Sequence, residues 1–96
     1  KNIAKELNVV VVALSQMSRA TDLSTKRPAL SDLRNSGEIE AAADIVAFIY
    51  RPYFHGMIGF EHDQTLAEFL IRKGRSIGTA EIALDFYPDF TKFTNR

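Results

Sequence analysis

Lys73 and Arg75 are separated by one residue at the end of the apolar stretch "AEFLIRK". In an extended strand, side chains two apart lie on the same face, so both cations point together. Gly74 between them leaves the other face bare. A cation pair on a rigid hairpin can reach a neighbouring subunit and stabilise charge on a transferring phosphoryl group. Solubilising charge at a hairpin tip fits the same spacing equally well.

Two further sites suit phosphate chemistry. Gln16 stands just past the C-terminal end of "VVVVAL", residues 9–14. Ligand crevices of parallel α/β sheets lie outside such strand ends. A side-chain amide there can accept from a water and donate to a phosphate oxygen, as a γ-phosphate sensor does; a solvated loop glutamine is the plainer alternative. Arg34, Asn35 and Gly37, in "SDLRNSG", form a compact anion-binding candidate. Arginine offers a planar fork, and glycine lets backbone N–H groups approach closely. A capped helix carrying a surface arginine accounts for the same residues.

Other groups point less far. His55 and His62, with Glu61 and Asp63, match no zinc spacing, and no metal site is expected. Tyr50, Tyr53 and Phe54 suit either base stacking or packing at a strand end. Lys26 and Arg27 suit a nucleic-acid backbone or simple solvation.

The elements that must position these residues fit in one domain of 96 residues. Apolar residues make up 46% and charged residues 25%, a globular composition. Twelve basic residues balance twelve acidic ones, so anion binding must be local. Cysteine is absent, which excludes a disulfide framework and fits a cytoplasmic setting. No apolar run approaches the roughly 18–20 residues of a membrane span. Lys1 stands where a methionine would begin a chain, inside a helical pattern, which gives the expectation of a piece of a longer protein.

In "KNIAKELN", Ile3 and Leu7 lie one helical turn apart and Asn8 marks a stop. Four consecutive valines in 9–14 read as a strand covered on both faces, as in a parallel sheet. Residues 15–30 read as a long mobile surface loop. Ser31 or Asp32 caps a short helix that Gly37 ends, and "EIEAAA" makes another helical piece. "DIVAFIY" (44–50) reads as a buried strand. A connection follows over 52–64. "AEFLIRK" and "TAEIALDF" form a strand pair around the tip "GRSIG", with Ile82, Leu84 and Phe86 facing one way. "FTKF" adds a short edge strand. The expected fold is α/β: a mostly parallel sheet with flanking helices and a C-terminal β-hairpin.

The order of these motifs resembles the C-terminal half of DnaB-type replicative DNA helicases. "VVVVALSQMSR", "KRPALSDLRNSGEIEAAADIVAFIYR", "AEFLIRKGRSIGTAEIALDF" and a final "FTKF" carry the likeness over nearly the whole chain, apart from about 53–65. The resemblance implies part of a RecA-like ATPase core, a homo-hexameric ring, nucleotide between subunits and single-stranded DNA in the channel. It implies that Gln16 senses the γ-phosphate and that Arg34, Asn35 and Gly37 grip the DNA backbone. Asn35 stands where the family usually has glutamate. Lys73 and Arg75 match the arginine-finger pair that acts in trans, on a tip shorter than the family's typical one.

ATP and Mg2+ are the implied cofactors of the parent protein. The 96 residues contain no G-x-x-x-x-G-K-S/T loop to cradle phosphates. They contain no apolar strand ending in aspartate ahead of the valines. Residues 1–96 are therefore expected to be a portion of the ATPase domain that is inactive alone. Primase and a helicase loader are further partners of this kind of protein, and no membrane is involved. Two other classes fit less of the pattern: a recombinase-type RecA-like ATPase, and a non-enzymatic interaction module.

Overall fold

The computed structural model describes residues 2–14, 26–31 and 41–96. Helix α1 covers Asn2–Leu7. Asn8 ends it in the left-handed region, at φ 54°. That region favours asparagine among non-glycine residues, and it turns the chain out of the helix.

Four strands follow: β1 (Ile45–Tyr50), β2 (Leu66–Gly74), β3 (Ala80–Tyr87) and β4 (Lys92–Asn95). They form one antiparallel sheet in the order β1-β2-β3-β4. β1, IVAFIY, is rich in the β-branched and aromatic residues that suit a pleated surface. The expected strand positions in 44–50, 67–73 and 79–86 hold to within a residue or so at their ends. The last strand lies slightly later than "FTKF", because Pro88–Phe90 forms a 3-10 turn closed by the Thr91 N–H on the Pro88 carbonyl at 3.2 Å.

The mostly parallel sheet with flanking helices is not what forms. Parallel neighbours need a crossover of a dozen or more residues, usually a helix. Here residues 51–65 are instead a chain of tight turns, including His55 N to Arg51 O, Met57 N to Pro52 O and Asp63 N to Phe60 O. Gly56 (φ 70°) and Gly59 (φ 97°) supply left-handed corners. The other links are shorter still, so every sheet neighbour runs antiparallel. The valine run 9–14 joins no strand among the described residues, and Val10 and Leu14 are 91% and 96% exposed. A run of apolar side chains states a need for cover on both faces; this sheet does not meet it. Of the expected helical pieces, α1 is described and is six residues long. Ala41 and Ala42, in the expected piece 38–43, are helical, while 32–40 lie outside the described residues.

The core sits on one face of β1 and β2, where Phe48, Tyr50 and Leu70 pack together against Val46 and Met57. Full burial of each such side chain is worth roughly 1.5–3 kcal/mol. Cross-strand partners share a face, and the register pairs Phe48 with Leu70 and Tyr50 with Glu68. The opposite face carries Ile49, Phe69 and Ile82, aligned by the pairs Ile49–Phe69 and Phe69–Ile82. The alternation expected for Ile82, Leu84 and Phe86 follows from this register. Phe86 meets Phe93 of β4 at 4.6 Å between ring centroids.

Candidate functional site

The described part of the site lies at the end of β2. Its register against β1 shifts between Val46–Lys73 and Ala47–Ile71, which makes Arg72 an extra, bulged residue. In an unbulged strand Lys73 would share the side of Ile71. The bulge instead places Lys73 across from Val46, on the core side. One step beyond the last pair, Ile45–Gly74, the register sets Arg75 opposite Asp44. The Arg75 N–H accordingly donates to the Asp44 carbonyl at 3.0 Å.

Lys73 and Arg75 do point together. Lys73 Nζ and Arg75 Nη2 both donate to the Ala41 carbonyl, at 3.4 and 3.3 Å. Arg75 Nη1 also donates to Asp44 Oδ1 at 2.9 Å. The Arg75 side chain remains 46% exposed. The pair is therefore gathered at a solvent-facing strand end rather than splayed into water.

Gly74 permits this turn. A Cβ there would stand 2.6 Å from Ile77 Cγ1 and collide with the Gly78 carbonyl oxygen. The Gly78 N–H closes the loop on the Gly74 carbonyl at 3.0 Å, with Gly78 at φ 75°.

Gln16, Arg34, Asn35 and Gly37 lie outside the described residues, so Lys73 and Arg75 are the site residues whose surroundings are described. Asp44 was not evident as a site residue, because its partnership depends on the antiparallel register. A parallel arrangement hides it.

A second charged group, on the core face of the sheet, also escaped the sequence. Arg27 forks onto Glu68 through Nε at 2.7 Å and Nη2 at 3.0 Å, across 41 positions. Arg72 Nε donates to the Pro28 carbonyl at 3.0 Å and approaches Glu81 at 3.8 Å. Pro28 is buried. The stretch around Arg27 and Pro28 is thus pinned to β2, and Arg27 is committed to a carboxylate rather than simply solvated. The Glu68 hydrogen bond raises the Arg27 pKa, with burial opposing it and the charges of Glu68 and Glu81 adding to it.

Tyr50 belongs to the core at 2% exposure and stacks on His55 at 4.7 Å. Burial raises its pKa, Arg27 opposes that, and Glu68 adds to it. His55 Nδ1 lies 3.1 Å from the Arg51 carbonyl. Among the described residues no three His, Cys, Asp or Glu side chains gather as a metal site. No described helix is long and apolar enough to cross a membrane.

Residues 1–95 match the family model of the DnaB-like helicase C-terminal domain. The chain belongs to that family. It is 42% identical to the replicative DNA helicase DnaC of Bacillus subtilis, over 99% of this chain and 21% of that protein. It is 41% identical to the replicative DNA helicase DnaB of Geobacillus stearothermophilus, with the same coverage. A solved DnaB-like replicative helicase, described together with its interactions with primase, superposes with a TM-score of 0.87 at 38% identity. That match covers 99% of this chain and 23% of the other. The chain thus spans about a fifth of the length of the curated relatives it matches. The likeness to a solved helicase also accounts for the antiparallel sheet: it is the architecture of the corresponding part of that fold.

Proposed function

We propose that this chain is the sensing, DNA-gripping and trans-activating portion of an ATP-driven replicative DNA helicase. The parent protein assembles as a homo-hexamer, translocates on single-stranded DNA and unwinds duplex DNA in the cytoplasm. Primase and a helicase loader are its proposed partners. The observation that supports this reading best is the gathering of Lys73 and Arg75 at one exposed strand end, in a chain of this family.

In this reading Arg75, with Lys73 beside it, projects toward the nucleotide of the neighbouring subunit. A guanidinium edge matches phosphate oxygens in a planar fork, and Lys73 adds a point charge. Such positioned cations stabilise charge as it spreads over phosphoryl oxygens. Gln16 senses the γ-phosphate. Arg34, Asn35 and Gly37 hold the DNA backbone, a contact suited to a motor that must move along any sequence.

When bound, ATP would supply the phosphoryl group and Mg2+ would neutralise charge on its oxygens. Lys73 and Arg75 fit an anionic phosphate, being paired cations on a solvent-facing end. The loop that cradles the phosphates is not among these 96 residues, so the main ligands of ATP and Mg2+ are assigned to other parts of the parent.

Arg75→Ala in the parent helicase tests the assignment. ATP turnover should be nearly abolished while nucleotide binding and ring assembly persist. Normal turnover would refute the finger role.

A further inference from the structure

Arg72 and Lys73, consecutive in β2, turn to the same side of the sheet, which successive side chains of a regular strand do not do. Lys73 stands across from Val46, which packs on the core. Arg72 approaches Glu81 at 3.8 Å, and Glu81 is the β3 partner of the core residue Leu70. The bulge at Arg72 permits both, as bulges beside active sites re-aim side chains.

The pairing on either side of the bulge does not choose its place. Ala47 lies opposite Ile71, and the Arg75 N–H meets the Asp44 carbonyl. Between these points Arg72, Lys73 and Gly74 face Val46 and Ile45, so one residue of β2 must be extra. Glycine often marks a bulge in a strand. Were Gly74 the extra residue, Arg72 would stand opposite Val46 and Lys73 opposite Ile45. Lys73 would then share the side of Ile71, away from the Ala41 carbonyl that it and Arg75 now share. Arg75 would still lie opposite Asp44.

The Arg72 side chain distinguishes the two arrangements. Its Nε donates to the carbonyl of the buried Pro28 at 3.0 Å, and its Nη1 faces Glu81. Only 24% of the side chain is exposed. These contacts draw Arg72 from β1 toward β3 and Pro28, leaving the place across from Val46 to Lys73.

We propose that Arg72 is a positioning residue for Lys73, holding the bulge at 72 so that Lys73 turns beside Arg75. This rests on the reading of Lys73 and Arg75 as a trans-acting pair.

The test uses the intact parent hexamer carrying Arg72→Met, which keeps an unbranched apolar stem and removes every donor. Its kcat for ATP should fall about three- to tenfold, with and without oligothymidylate alike, well short of the roughly 10³-fold that a finger supplies. KM for ATP, oligothymidylate affinity and ring assembly should be unchanged. Arg72→Lys keeps a donor for the Pro28 carbonyl and should recover most of the rate. In a ring already carrying Lys73→Met, adding Arg72→Met should change kcat less than about twofold, since coupled residues are not additive. An unchanged kcat in Arg72→Met overturns the proposal. So does a loss of the same size in the Lys73→Met ring, or one that Arg72→Lys leaves in place. Normal turnover in both Lys73→Met and Arg75→Ala rings would sink the reading of the pair itself. A slowed Lys73→Met ring beside a normal Arg72→Met ring would remove the present proposal alone.

Discussion

Arg27→Ala should loosen β2, and the structure sets the size of the effect. The substitution removes two charge-assisted hydrogen bonds, of 2.7 and 3.0 Å, to Glu68. Glu68 keeps 14% of its side-chain exposure and Arg27 34%. Fully exposed ion pairs contribute about 0–1 kcal/mol, whereas removing one partner of a buried pair costs about 3–5 kcal/mol. The intermediate burial here places the cost at about 2 kcal/mol, between those limits. Since ~1.4 kcal/mol is tenfold in an equilibrium constant, local opening should rise about 30-fold.

Native-state hydrogen exchange of the β2 amides in the parent protein reads that opening directly. Glu68→Gln keeps the shape and an acceptor, and it strands only the more exposed partner. Its effect should be near fivefold, about 1 kcal/mol. Less than a twofold change with Arg27→Ala, or a larger change with Glu68→Gln, would show that the pair does not hold the sheet.

Tyr50 makes a pH prediction. Burial raises its pKa in the folded state, so the neutral phenol is favoured by folding. Its contribution to stability is fully present below the unfolded value of about 10 and is lost as pH rises through the higher folded value. A tyrosinate absorbance titration of wild type minus Tyr50→Phe should show this group ionising late, and an ordinary midpoint would contradict it. In the parent, Arg34→Ala should weaken single-stranded DNA binding evenly across sequences and reduce the salt slope by about 0.7, one phosphate contact. Loss confined to some sequences would count against backbone gripping.

What the sequence carried was mainly local. Asn8 as a helix stop, the strands around 44–50, 67–73 and 79–86, and the glycine-flanked tip between Gly74 and Gly78 all depend on short-range chemistry, and all are present. Strand direction is not local. Four valines in a row specify cover, not the orientation of neighbours, and the sheet formed without them. Contacts across long separations were equally hidden. Nothing near Arg27 in the chain points to Glu68, and nothing in "AAADIV" points to Arg75 until β1 and β2 are known to run antiparallel. The bulge at Arg72 had no sequence mark either, although it aims Lys73. The roles of Gln16, Arg34, Asn35 and Gly37 rest on motif order and family likeness.

In the proposed function, Arg75 acts on a neighbouring subunit. Mixed rings test it directly, made from Arg75→Ala subunits and subunits that keep Arg75 but cannot bind nucleotide. Each homogeneous ring should be inactive. Action in trans predicts that mixing restores ATP turnover, because an intact nucleotide site then faces an intact Arg75 at some interfaces. Mixed rings that assemble and stay as inactive as their parents would rule out action of Arg75 in trans.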